Sequence, residues 1–114
     1  MGPTQFNDSD STINGIGETF MKMLMIIIDQ TKREELEVFL NRSGVVGYTE
    51  ISHAAGMGLT GPRLGSSAFP KTSAVVFTIL DDEALLGLLE GVDRFCATCG
   101  EELRMISWDV DVLR

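Results

Sequence analysis

Two runs of this chain leave a sheet no open face. Residues 23–28 (Met-Leu-Met-Ile-Ile-Ile) and 73–80 (Ser-Ala-Val-Val-Phe-Thr-Ile-Leu) are apolar at consecutive rather than alternate positions. Successive side chains of a strand point to opposite faces. A strand that is apolar throughout is therefore buried on both. Any fold that uses these two runs must cover both sides of one sheet.

The remaining segments determine what can do the covering. Thr31 and Glu34 have capping-box spacing and predict a helix running to about Arg42. Leu36, Phe39 and Leu40 form its apolar face, and Gly44 is the expected stop. Residues 45–51 read as a second strand. Asp81 or Asp82 caps a second helix over 83–95, with Leu85, Leu86, Leu88, Leu89 and Val92 as its buried stripe. Residues 105–112 alternate Ile106, Trp108, Val110 and Val112 with Ser107, Asp109 and Asp111, the pattern of a half-buried strand. The order is βαββαβ. It predicts an α+β, ferredoxin-like fold, a four-stranded antiparallel sheet with two helices on one face. The helices cover one side only, so the other is expected to be covered by further copies of the chain.

Between the second and third strands lies a connection of about twenty residues, 52–71. A hairpin turns in two to five, and structureless loops beyond roughly 12–15 residues are usually functional or disordered. This one holds Gly56, Gly58, Gly61 and Gly65, the cation Arg63, and hydroxyls at Thr60, Ser66 and Ser67. Glycines allow close approach of backbone to a ligand and present bare N–H groups. The loop is therefore the first candidate for function. Its Gly-x-Gly is not a dinucleotide fingerprint, because no helix follows, and it lacks the Gly-Lys-Ser/Thr of a P-loop.

Charge and composition exclude some classes. The 114 residues give one domain and a net charge of −8. Residues 1–20 carry three acids, no Lys or Arg and no apolar periodicity, and are expected to form a flexible N-terminal extension ahead of a folded unit at 21–114. An acidic domain lacks the basic footprint of nucleic-acid binding. No apolar run approaches the ~20 residues of a membrane span. The extension has neither the basic nor the apolar region of a secretory signal, so a reducing, cytoplasmic setting is expected.

Cys96-x-x-Cys99 has three readings: structural thiols, half of a metal site, or a redox pair. A redox CxxC usually opens a helix, where the dipole lowers the first thiol's pKa; this one closes a helix. Zinc needs four ligands; the pair gives two and His53, the one histidine, a third. No nucleophile–base–orienter set can be assembled, so the chain is not expected to be an enzyme.

The long glycine-rich loop in a βαββαβ order, with Tyr48-Thr49-Glu50-Ile51 ahead of it, Gly56-Met57-Gly58 at its base and Phe69-Pro70-Lys71 at its exit, resembles the PII signalling superfamily. The resemblance spans residues 22–112 and is to a non-canonical, PII-like member. It implies a homotrimer whose three inter-subunit clefts bind a small anionic effector, an adenine nucleotide (ATP, ADP or AMP) above all. It also implies that the loop docks on a target enzyme or transporter, as in nitrogen regulation. Gly56, Gly58, Thr60, Gly61, Arg63, Lys71, Gly100 and Arg104 are the ligand contacts it suggests. Two departures stand out. The loop has no tyrosine, and the short loop after the second helix carries Glu101 and Glu102 where the family has glycine and lysine. Trimeric divalent-cation-tolerance proteins of the CutA type share the architecture. They supply the alternative, a divalent metal held by Cys96, Cys99 and His53.

Overall fold

A computed structural model of the chain describes residues 21–58, 61–100 and 103–114. The extension expected at 1–20 lies outside the described residues. Strand β1 (Met21–Asp29) leads through a 3-10 turn (Gln30–Lys32) into helix α1 (Arg33–Arg42). Strand β2 (Thr49–Ala54) follows, then a small hairpin of β3 (Gly56–Gly58) and β4 (Gly61–Arg63). Strand β5 (Ser73–Asp81), helix α2 (Asp82–Cys99) and strand β6 (Arg104–Val110) are the last elements among the described residues. The main sheet is antiparallel in the order β2-β5-β1-β6, with β1 and β5 central. This is the ferredoxin-like arrangement expected.

The pleat divides the central strands as their sequence requires. Leu24, Ile26 and Ile28 of β1, with Ala74, Val76 and Leu80 of β5, are buried together with Leu36 and Leu40 of α1 and Leu88 and Phe95 of α2. Thr78, on the same face, donates its hydroxyl to the Gly47 carbonyl at 2.6 Å, which satisfies a polar group inside the core. The opposite face aligns Ile79, Met23 and Trp108 in one row and Phe77, Met25 and Ile106 in the next. In the single chain Ile79, Ile106 and Trp108 remain 42%, 40% and 43% exposed. The apolar second face read from the sequence is thus present and open.

Several local expectations are corrected. The Thr31–Glu34 capping box does not form. Asp29, fixed at the end of β1, accepts from the Thr31 amide (3.1 Å) and also from its hydroxyl, so both Thr31 donors are taken and a 3-10 turn precedes the helix. The second strand begins at Thr49 rather than 45. Gly44, at φ +88°, and Val45 donate to the Asn41 and Leu40 carbonyls in a Schellman closure, and Val45 turns into the core. The long connection is not structureless, since β2 runs on to Ala54 and β3 pairs with β4. Helix α2 extends to Cys99, capped at its start by Asp81, which accepts from the Ala84 amide at 2.8 Å. Its stripe is shifted from the one expected: Leu88 and Phe95 are buried and Leu85 packs against the core, whereas Leu86 and Leu89 are exposed. The last strand runs 104–110, leaving Val112 beyond it.

Candidate functional site

The register brings four strand ends to one edge of the sheet. Asp29, the last residue of β1, pairs with Ser73, the first of β5. Ala54, the last of β2, also pairs with Ser73, and Arg104, the first of β6, pairs with Ile27. The segment 52–72, the turn after β1 and the turn between α2 and β6 therefore share one end of the molecule. Gly56, Gly58, Gly61, Arg63, Lys71, Gly100 and Arg104 all lie there by topology. Thr60 lies outside the described residues, as do Glu101 and Glu102.

A cleft of about 690 Å³ opens at this end. Asp29, Gln30 and Thr31 form its floor, His53 one wall, and Leu64, Gly65, Pro70, Lys71 and Thr72 the other. His53 sits in a bulge where the β2–β5 register shifts, at a left-handed φ of 58°. Its amide donates to the Gln30 carboxamide oxygen at 2.6 Å, and its Nδ1 stands 3.3 Å from the Thr72 hydroxyl. The Gln30 amide in turn donates to the Thr72 carbonyl at 3.0 Å. Gly65, at φ +68°, lets the chain lie against Thr72, where an added Cβ would stand 3.0 Å from the threonine methyl.

Arg63 leaves the hairpin pointing inward. Its guanidinium pairs with the Asp29 carboxylate, and its Nε donates to the Ser73 hydroxyl at 3.1 Å. The Asp29 and Arg63 side chains are only 8% and 18% exposed. The cation singled out in the sequence is therefore already neutralised by a carboxylate of the same chain. Lys71 lines the cleft and, among the described residues, makes no ion pair. Arg104 is exposed at the start of β6, and Gly100 closes α2 by donating to the Cys96 carbonyl at 3.0 Å.

A second charged cluster joins β2 to α1. Ser52 donates to Glu50 at 2.9 Å. Arg33 of α1 contacts Glu37 at 2.9 Å and Glu50 at 3.7 Å. A hydrogen bond with Glu50, together with burial, raises the Glu37 carboxyl above its usual pKa. Burial, with Glu37 and Glu50 near by, also raises the Tyr48 phenol.

The three-ligand metal set expected from Cys96, Cys99 and His53 is corrected. Among the described residues no three His, Cys, Asp or Glu side chains are gathered to hold an ion. Cys96 and Cys99 pack against the core at the end of α2, while His53 is turned to Thr72. What the sequence reading missed is the floor: Asp29, Gln30, Thr31 and Thr72. One signal was available, an aspartate placed directly after six apolar residues of a buried strand.

The sequence matches the family model described as nitrogen regulatory protein P-II over residues 21–113. No curated protein matches it significantly. Among solved structures, it is similar to CPII, a nitrogen regulatory PII-like protein from Thiomonas intermedia K12 bound to ADP, AMP and bicarbonate. That likeness is at 25% identity and a TM-score of 0.62, over 80% of this chain and 88% of that one. A second CPII structure, bound to ADP and bicarbonate, gives the same figures: 25% identity, 80% and 88% coverage, TM-score 0.62. A candidate PII-like signalling protein from Thermus thermophilus shares the fold at 18% identity and a TM-score of 0.63, over 82% of this chain and 90% of that one. Among the described residues no helix is long and apolar enough to cross a membrane.

Proposed function

The chain belongs to the nitrogen regulatory protein P-II family, and on that premise we propose that it is a cytoplasmic, homotrimeric regulator that binds an adenine nucleotide and is not an enzyme. The open sheet faces of three copies pack together, which removes the exposed Ile79, Ile106 and Trp108 from water. The nucleotide occupies the end of the sheet where segment 52–72 meets the turn after α2. Its binding changes the arrangement of that segment, and through it contact with a target protein.

The observation that carries this reading is the convergence at one sheet end. Lys71, His53, Gln30, Thr31 and Thr72 line a cleft of about 690 Å³, within the 300–1,000 Å³ range of small-molecule sites, and Arg63 lies beside it, paired with the Asp29 of its floor. The CPII structure, at 25% identity, is bound to ADP, AMP and bicarbonate, which supports the same ligand class here. The test is calorimetric titration of the full chain with ADP, AMP and ATP, alongside thermal melting. Saturable heat with at least one nucleotide and a raised Tm are expected, since a ligand at one hundred times its Kd stabilises by about 2.7 kcal/mol. Silence from all three, with an unchanged Tm, refutes the reading.

A further inference from the structure

We propose that Asp29 is a resident anion that latches Arg63 and the turn 64–71 onto the end of β1, so that an incoming anion opens the segment by displacing a carboxylate rather than by filling a vacant cation site. The proposal rests on the nucleotide reading above and adds to it how the loop is released.

The geometry has three parts. Arg63 presents several N–H donors in a rigid fork, and three of its contacts are internal: Asp29, the Ser73 hydroxyl at 3.1 Å and the Thr72 carbonyl at 3.5 Å. Asp29 is equally committed, with one oxygen on Arg63 and the other on Thr31. Among the described residues, the hydrogen bonds of 64–71 close within that turn: Leu64 and Ser66 donate to the Phe69 carbonyl, Gly65 to Lys71, and the Phe69 amide to the Ser66 hydroxyl. The turn is a self-contained unit tied down at its two ends, by Arg63 on one side and Thr72 on the other.

A ligand phosphate offers Arg63 the same kind of charge-assisted bond as Asp29 does, with more acceptor oxygens. Lys71, which lines the same cleft as Asp29, adds a positive charge that favours the anion. When Arg63 transfers to the ligand, Asp29 keeps Thr31 as its partner and the turn loses the tie at its leading end. Ligand occupancy and loop freedom are then two readings of one exchange of partners, and each must affect the other by the same factor.

The test uses Asp29→Asn, which keeps an oxygen for Thr31 and removes the charge. Arg63→Gln is the second variant, should the first fold poorly. Without any nucleotide, amide hydrogen exchange over 64–72 should accelerate at least threefold in both variants, while the paired β1 and β5 amides stay protected. Unchanged exchange over 64–72 overturns the latch. With ADP, Asp29→Asn should bind about tenfold more tightly than the unmodified chain, the scale of one competing charge-assisted hydrogen bond. ADP should also speed exchange over 64–72 in the unmodified chain. If that chain binds ADP as tightly as the variant does, the latch is refuted and the nucleotide reading stands. If ADP binds neither protein, the nucleotide reading fails and the ligand-free exchange comparison alone decides the latch.

Discussion

Replacing Ile79 by aspartate tests the assembly at its most exposed apolar row. Ile79 and Trp108 flank Met23 on the open face, so a charge at 79 falls beside the one tryptophan of the chain. Fully burying an isoleucine is worth about 1.5–3 kcal/mol, and with 42% of the residue still exposed in the single chain about 1 kcal/mol per subunit is left for association. Taking a carboxylate out of water costs several kcal/mol more for each ion. Threefold symmetry repeats the defect three times, so the penalty reaches about 10 kcal/mol, or roughly seven decades in the association constant. Light scattering at micromolar concentration should give a trimer for the unmodified chain and a monomer for Ile79→Asp. The Trp108 emission should shift to longer wavelength in the variant as the indole meets water. Val46→Asp adds the same charge at a fully exposed position and should stay trimeric. A monomeric unmodified chain, or an Ile79→Asp trimer with unshifted emission, would refute the packing of open faces.

The two middle glycines of α2 should respond oppositely. Gly87→Ala meets nothing within 4 Å and should stabilise by about 0.5–1 kcal/mol through helix propensity, whereas the Cβ of Gly91→Val lies 3.2 Å from Phe39 Cε1 and should destabilise by about 1–2 kcal/mol. Urea denaturation at fixed subunit concentration measures both. The Glu37 carboxyl is raised above its ordinary value of 4.5 in the folded chain, so its contribution to stability is complete below that pH and is lost as pH rises through the folded value. Glu37→Gln should accordingly flatten the fall of Tm with pH above 4.5, and an unchanged slope counts against a proton shared with Glu50. Lys71→Gln should weaken ADP binding in calorimetry by about tenfold while leaving exchange over 64–72 unaltered, because Lys71 holds no ion pair among the described residues. Accelerated exchange in that variant would mean that Lys71 also fastens the turn.

The parts of this fold that were legible in the sequence are those set by periodicity. Consecutive apolar positions at 23–28 and 73–80 marked two central strands with apolar side chains on both faces, one packed under the helices and one open in the single chain, and alternation at 105–112 marked a further strand. What escaped were choices between competing local partners. Thr31 can cap a helix, but Asp29 two residues earlier takes its amide and hydroxyl, and no pattern at 31–34 records that competition. Val45 is β-branched and reads as strand, yet as the residue after the Gly44 closure it turns into the core as part of a helix end. Leu86 and Leu89 have the helical spacing of a buried stripe. The buried line of α2 runs instead through Leu88 and Phe95, with Ala84, Leu85, Cys96 and Cys99 packed beside it and Phe95 stacked on Phe39 of α1 at 4.8 Å.

The candidate site was legible in place and not in charge. Length and glycine content located segment 52–71, and strand order alone then carries it to the edge shared by the ends of β1 and β2. The sequence also made Arg63 look like an available cation, because Asp29 lies 34 residues away and belongs to what reads as a purely apolar strand. Physical necessity explains why such a pairing had to be sought. A guanidinium 18% exposed beside a carboxylate 8% exposed cannot be left without a counter-charge, so an arginine folded inward from a hairpin implies an acid on the strand beneath it. In an acidic chain that acid is easily supplied, and under the proposed function a ligand anion would meet a competitor rather than a vacancy. On the proposed latch, the affinity of this sheet end for anions is a difference between the claims of the Asp29 carboxylate and of a ligand phosphate on Arg63, and the charge at the end of β1 would set the balance between a closed segment and an occupied cleft.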